Sequence, residues 1–171
     1  MYASAARAVL NGSTPSGKAG AVDELLDKLR DRIPTYAEFE AAFIELRSSR
    51  LYTQQTPLVR YVLDRLHVTV SPSSATAPID LDLLTVEHVA SQAGKGDVSS
   101  GDVARIGNLI LVSEELNKEL GDRSFAEKQK VLKGVPGVER EILDAKTWKA
   151  DEIIERSKRL ARRAFEEVWL F

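Results

Sequence analysis

Apolar residues recur at intervals of three and four in the first part of the chain. One such stripe predicts an amphipathic helix over about residues 21–32, which Pro34 ends. Thr35 can cap a second helix, and Thr56-Pro57 begins a third with proline at the first helical position. The apolar positions of the three stripes are Val22, Leu25, Leu26, Leu29 and Ile33, then Tyr36, Phe39, Phe43 and Leu46, then Leu58, Val59, Val62, Leu63 and Leu66. We interpret all three as core, and His67 at the end of the third helix as structural.

The pattern changes after residues 71–78, a low-complexity loop of Ser, Pro, Ala and Thr. Residues 81–88 then form a short extended segment that ends in Glu87-His88, and residues 108–112 form a second one. The polar, glycine-rich residues 91–102 between them are the expected loop. Ser113 can cap a following helix with an acidic first turn. Strand, loop, strand and helix is the order that a ββα-metal module requires.

The rest of the chain is helical by pattern. Ser124 can cap a helix to about Lys133, the segment Val135-Pro136-Gly137 breaks the chain, and a long amphipathic helix follows. Its stripe consists of Ile153, Ile154, Ser157, Leu160, Ala161, Ala164, Phe165, Val168 and Trp169. We expect this stripe to pack on the N-terminal helices, with association between copies of the chain as the alternative.

The predicted fold class is α+β and mostly helical. A helical domain encloses a ββα-metal (HNH) module and ends in a long C-terminal amphipathic helix. Residues 1–70 are the N-terminal helical part, residues 71–123 the HNH module and residues 124–171 the C-terminal helices. At 171 residues the chain is long enough for one such domain.

Composition restricts the chemistry of any site. The chain has no cysteine and two histidines, so disulfides, thiolate zinc sites, Cys nucleophiles and all-His metal sites are excluded. A metal would therefore be held mainly by oxygen atoms, which favours Mg²⁺ or Mn²⁺. The net charge of −2 gives no sign of tight nonspecific DNA binding. Another domain is then expected to supply affinity, unless the fold gathers Lys and Arg on one face.

The sequence shows neither a targeting segment nor a membrane span. No apolar run approaches the roughly 20 residues that a spanning helix needs. We therefore expect a cytoplasmic protein that does not enter a membrane.

A segment near the start resembles a phosphate-binding loop. Residues 12–19 match the pattern G-x-x-x-x-G-K-[ST] except at the last position, where Ala19 has no hydroxyl for Mg²⁺. No buried strand precedes the segment. We interpret it as a mobile Gly/Ser/Pro loop.

Four residues in the predicted ββα module suit the hydrolysis of a phosphodiester. His88 can act as the general base, because an imidazole of ordinary pKa is largely neutral at cellular pH. Glu87 and the amide oxygen of Asn117 are hard ligands for Mg²⁺ or Mn²⁺. Asn108 would bond across the loop and orient His88. The candidate phosphate contacts are Lys95, Arg105, Lys118, Arg123 and Lys128. The alternative is that Glu87-His88 ends a strand at the surface and that both asparagines only cap turns and helices.

From about Thr56 onward, the chain resembles the HNH nuclease domain at the C-terminus of GmrSD-type restriction endonucleases. The resembling segments are residues 58–63, Val86-Glu87-His88-Val89 with Gln92, Gly107-Asn108-Leu109-Ile110-Leu111 with Asn117, Phe125, Lys128, Trp148, Ile153, Arg156, Leu160-Ala161 and Val168-Trp169. The resemblance implies modification-dependent restriction of phage DNA in bacteria, as also in SspE-like members. It also implies an NTP-using domain or partner subunit upstream.

Two departures from the family limit what can be carried over. Ser91 stands where the family usually has proline, so the loop after His88 is expected to be less rigid. The upstream Asp-Gly-Gln-Gln-Arg signature is missing, which suggests a nuclease domain that is separately encoded or taken from a larger protein.

These observations predict a metal-dependent HNH endonuclease domain that nicks DNA. The alternative is a noncatalytic module that binds DNA or docks on a defence NTPase. RNA is a further possible substrate, because its phosphodiester chemistry is the same.

Overall fold

The computed structural model describes residues 1–70, 83–93 and 98–169. It divides into two compact units, Met1–Thr35 and Tyr36–Phe171. The predicted loop over residues 71–78 lies outside the described residues. Within the described ranges, no helix combines the length and apolar character needed to cross a membrane.

The first unit consists of helices α1 (Tyr2–Asn11) and α2 (Pro15–Arg30), neither of which has a buried residue. The prediction of a loop over residues 12–19 is wrong from Pro15 onward. Thr14 Oγ1 accepts a hydrogen bond from the Gly17 backbone at 3.1 Å, and Pro15 occupies the first helical position. This cap starts α2 about two turns before the apolar stripe begins, which is why hydrophobic periodicity alone placed the start too late.

The second unit contains seven helices and two strands among the described residues. The helices are α3 (Tyr36–Phe43), α4 (Thr56–Val70), α5 (Ser100–Val103), α6 (Glu114–Leu120), α7 (Phe125–Leu132), α8 (Arg140–Asp144) and α9 (Ala150–Arg163), and the strands are β1 (Leu84–His88) and β2 (Leu109–Ser113). A 3-10 turn over Ile106–Asn108 precedes β2, and a π-helical segment over Ala164–Val168 follows α9. The prediction of a mostly helical α+β fold is confirmed.

Strands β1 and β2 form an antiparallel pair in which Glu87 lies opposite Ile110 and His88 opposite Leu109. Alternate side chains of a strand point to opposite faces. Leu109 and Leu111 accordingly join a core cluster with α3, α4 and α9, whereas Ile110 and Val112 join a second cluster around Trp148. The small sheet is therefore covered on both faces, which fixes its register.

Helix α9 crosses the 3-10 turn at Gly107. Ser157 Oγ accepts a hydrogen bond from the Gly107 backbone at 3.1 Å. Arg156 Nη1 donates to the backbone oxygens of Gly107 at 2.8 Å and Leu109 at 3.0 Å. A Cβ atom on Gly107 would overlap the backbone oxygen of Ile153 and the Ser157 hydroxyl. Only glycine therefore allows α9 to lie this close to the start of β2.

Replacing Gly107 tests this close approach. We expect Gly107→Ala to lower the free energy of unfolding by about 3 kcal/mol, because backbone atoms of α9 must shift. Gly134→Ala is the matched control, since a Cβ there meets nothing within 4 Å. Chemical denaturation checks both variants, and equal stability of the two would contradict the packing described for α9.

Candidate active site

A cavity of about 450 Å³ lies beside the end of β1. Its lining includes Glu87 and His88 of β1, Asn117 of α6 and Lys128 of α7. The connection between α3 and α4 lines another part of it through residues 49–51. Glu87 is 6% exposed and His88 8% exposed, so the alternative that this dipeptide ends a strand at the surface is wrong.

The hydrogen bonds of His88 define its tautomer. Its Nε2 atom lies 3.0 Å from the backbone oxygen of Ser48. A carbonyl oxygen can only accept, so Nε2 carries the proton and Nδ1 keeps a lone pair. Burial lowers the pKa of His88 below its ordinary 6.5; the bond to Ser48 opposes this shift, and the charge of Lys128 adds to it. The ring is therefore neutral near pH 7, with Nδ1 as its basic nitrogen.

Gln92 covers this basic nitrogen. Its side-chain Nε2 lies 3.1 Å from His88 Nδ1 and is the donor, while its Oε1 accepts from the Arg50 backbone N–H at 3.2 Å. The second bond fixes the orientation of the carboxamide, because Oε1 alone can accept. Gln92 thus donates to His88 where a nucleophilic water would donate its proton during general-base catalysis.

Glu87 points to the opposite face of β1 from His88 and contacts Lys128. The Lys128 ammonium donates to Glu87 Oε1 at 2.5 Å and to the His88 backbone oxygen at 2.7 Å. Burial raises the pKa of Glu87, although Lys128 opposes the shift. The Lys128 side chain is 1% exposed, and a buried ammonium needs a counter-charge. The salt bridge uses Glu87 Oε1 and leaves Oε2 outside it.

Asn117 is fixed by the strand that carries Glu87. Its Nδ2 donates to Thr85 Oγ1 at 2.9 Å and to the Val86 backbone oxygen at 3.1 Å. Its Oδ1 accepts no hydrogen bond from any residue in the described part of the chain. Asn117 also lines the cavity.

Asn108 is fully buried, with 0% of its surface exposed. Its Nδ2 donates to the backbone oxygens of Ala90 at 3.0 Å and Val103 at 2.7 Å. Its Oδ1 accepts from the Ala90 backbone at 2.7 Å and from Trp148 Nε1 at 3.0 Å. The carboxamide therefore bonds across the loop, two residues beyond His88, and does not reach the cavity itself.

Ser91, in the loop after His88, bonds to Asp122 just beyond α6. Its hydroxyl donates to Asp122 Oδ1 at 3.2 Å and accepts from the Ala93 backbone at 3.1 Å. Asp122 also lines the cavity, and its charge acts to raise the pKa of Glu87. The hydroxyl thus provides one tertiary contact and one local contact for the loop, neither of which a proline side chain could make.

The candidate phosphate contacts are mostly engaged elsewhere. Lys118 pairs with Glu114 at 2.6 Å and Arg123 with Glu119 at 3.6 Å. Arg105 bonds to Asp102, to Glu45 and to the Ile44 backbone. Lys128 is buried against Glu87 and is the only one of these four described candidates that lines the cavity. Lys95 lies outside the described residues.

The cavity offers few candidate ligands for a metal ion. Within residues 1–70, 83–93 and 98–169, no group of three or more His, Asp or Glu side chains is arranged to hold a metal ion. Glu87 Oε2 and Asn117 Oδ1 nevertheless supply one carboxylate and one amide oxygen. Mg²⁺ commonly keeps several waters and takes few protein ligands, so this pair suits Mg²⁺ or Mn²⁺.

The sequence analysis named Gln92 and Lys128 but not as partners of His88 and Glu87, and it did not name Ser48. Ser48 and Gln92 contact His88. The spacing between Ser48 and His88 in the sequence does not indicate that the two residues are in contact. Lys128 did carry a signal, because it shares the inner face of α7 with Phe125 and buried Leu132. A lysine on an apolar helix face indicates a buried charge with a partner.

A family model described as the C-terminal domain of GmrSD restriction endonucleases matches residues 34–163. This match confirms the resemblance found in the sequence, and its span includes His88, Glu87, Asn108, Asn117 and Lys128. Neither a curated protein nor a solved structure matches the chain.

Asn108→Ala tests the buried carboxamide. We expect it to lower the free energy of unfolding by about 3 kcal/mol or more, because it leaves the Trp148 and Ala90 N–H groups unpaired. Asn11→Ala, at an exposed position of α1, is the matched control and should change stability by less than about 0.5 kcal/mol. A similar small effect of both variants in denaturant unfolding would refute the anchoring role of Asn108.

The tautomer of His88 can be read by ¹⁵N NMR, since the chain has only one other histidine, His67. We expect a protonated Nε2 whose hydrogen exchanges slowly, because it is buried and bonded to Ser48. The His67→Gln variant assigns the signals. Protonation at Nδ1 instead would remove the lone pair and show that the described arrangement of Gln92 is incorrect.

Proposed function

The chain belongs to the family of GmrSD restriction endonuclease C-terminal domains, and from this premise we propose that it is a metal-dependent HNH endonuclease domain that nicks DNA. The observation that carries the proposal is that one cavity is lined by both a neutral histidine with a basic Nδ1 and two cation-suited oxygen donors. Hydrolysis of a phosphodiester needs these groups together.

In this proposal His88 is the general base. Its Nε2–H stays bonded to the Ser48 backbone, which holds the ring while Nδ1 takes a proton from water. Gln92 must first release Nδ1, and its carboxamide lies at hydrogen-bonding distance from that atom. A general base of this kind typically accelerates a reaction by about 10²–10⁴-fold.

Glu87 and Asn117 are the proposed metal ligands, through Oε2 and Oδ1. When bound, Mg²⁺ or Mn²⁺ would offset the charge that develops on the phosphate and on the leaving oxygen. Lys128 orients the Glu87 carboxylate by holding Oε1, and the bonds of Asn117 to Thr85 and Val86 orient its amide. Asn108 fixes the loop that follows His88.

The wider setting of the reaction is also part of the proposal. By its family, the domain would cut phage DNA in a bacterial restriction system, working with an upstream NTP-using domain or a partner subunit. Such an enzyme acts where incoming DNA is met, in the cytoplasm.

A second candidate function is a noncatalytic module that binds DNA or docks on a defence NTPase. Two contacts favour it. Lys128 already forms a salt bridge with Glu87 in the absence of a metal ion, and Gln92 already bonds to His88 Nδ1. In that case the domain would bind its partner without metal-dependent cleavage.

Supercoiled plasmid separates the two functions. We expect nicked circles to appear before linear DNA with Mg²⁺ or Mn²⁺, because a single site cuts one strand at a time. His88→Ala should reduce the nicking rate by at least about 100-fold. His67→Ala is the matched control, since His67 does not line the described cavity.

Equal background nicking by the wild type and His88→Ala would exclude the catalytic role. Binding of DNA without cleavage in either metal would support the noncatalytic module instead. The same assay with an RNA substrate tests whether the domain also cleaves RNA.

A further inference from the structure

Besides any metal ion, a nuclease site uses basic side chains that contact the phosphates of the strand being cut. Among the described residues, two basic side chains other than His88 line the cavity, Arg50 and Lys128. The Lys128 ammonium is buried and bonded to Glu87 and to the His88 backbone. Because these bonds lie within the protein, the ammonium is poorly placed to bind an incoming DNA strand.

Arg50 differs from Lys128 in exposure and in pairing. It lies in the connection between α3 and α4, outside the segment with the ββα order, and it is exposed. Its side chain forms no salt bridge or hydrogen bond with any residue in the part of the chain that the structure describes. By contrast, Arg105, Lys118 and Arg123 are each paired with a carboxylate away from the cavity.

Arg50 is also fixed close to the proposed base. Its backbone N–H donates to Gln92 Oε1, and Gln92 Nε2 donates to His88 Nδ1. One carboxamide and two hydrogen bonds therefore separate the Arg50 backbone from the nitrogen that would activate water. The Arg50 side chain therefore extends from a backbone that is held near His88.

We propose that the Arg50 guanidinium binds a phosphodiester of the DNA strand at this site. The inference rests on the proposed function, because it assigns the substrate contact of the same cavity. A guanidinium presents paired N–H donors that match two phosphate oxygens, and it stays charged at all physiological pH values. Among the described residues that line the cavity, Arg50 is the one unpaired cation, so in a chain of net charge −2 it would contribute a large share of the local attraction for DNA.

The backbone and side-chain roles of Arg50 can be separated. Arg50→Gln removes the charge but keeps the N–H that holds Gln92, so the His88 tautomer should not change. Arg50→Lys keeps the charge and loses the paired geometry. Arg65→Gln is the matched control, because Arg65 is exposed on α4 and does not line the described cavity.

The test is fluorescence anisotropy of a labelled DNA duplex in EDTA, with salt varied between about 50 and 200 mM. We expect Arg50→Gln to weaken binding roughly tenfold at the lowest salt. It should also reduce the slope of log K against log salt by about one, as the loss of one phosphate contact requires. Arg50→Lys should fall between Arg50→Gln and the wild type, and Arg65→Gln should match the wild type.

Equal affinity and salt slope for Arg50→Gln and the wild type would overturn the assignment, as would a wild type that does not bind the duplex. An equal loss in Arg65→Gln would also overturn it, since the effect would then be general charge. These outcomes are distinct from failure of the proposed function. Nicking that depends on His88 but not on Arg50 would refute this contact alone, whereas no His88-dependent nicking would refute the nuclease.

Discussion

The Asn108 carboxamide is the contact on which the rest of the site depends. It uses both of its donors and both acceptor positions inside the fold, and its partners come from three separate segments. Ala90 belongs to the loop after His88, Val103 ends α5, and Trp148 precedes α9. A buried amide satisfied in this way allows one arrangement of those segments, because any other would leave polar groups unpaired. The position of His88 follows from it.

Around this anchor, the two candidate site residues of β1 are held by different parts of the fold. His88 faces the α3–α4 connection and bonds to Ser48, whereas Glu87 faces α7 and bonds to Lys128. Strand alternation explains how neighbours in sequence reach opposite walls of one cavity. In the described structure both groups are occupied by protein donors, Gln92 on His88 and Lys128 on Glu87. A water that attacks the phosphate would therefore have to displace Gln92 from His88, and a metal ion would have to share Glu87 with Lys128.

The sequence predicted much of the fold because local signals were strong. Apolar spacing and caps at Ser113 and Ser124 gave the helices and the strand order around Glu87 and His88. It also predicted that Asn108 bonds across the loop. It could not predict the contact of Ser48 with His88 or that of Arg50 with Gln92, since each joins positions about 40 residues apart. The contact of Gln92 with His88 spans only four residues, but periodicity and caps do not indicate side-chain hydrogen bonds within a loop. The early start of α2 was missed for the opposite reason, because its cap is local and lies before the apolar pattern begins.

The central claim is that Glu87 and Asn117 hold a cation beside His88. Crystals soaked in Mn²⁺ and measured for anomalous scattering test it most directly. The account predicts one peak about 2 Å from both Glu87 Oε2 and Asn117 Oδ1. The same peak should be absent from Asn117→Ala crystals. A Glu87–Lys128 salt bridge with no peak beside it, or Mn²⁺ bound only away from these two oxygens, would contradict the account.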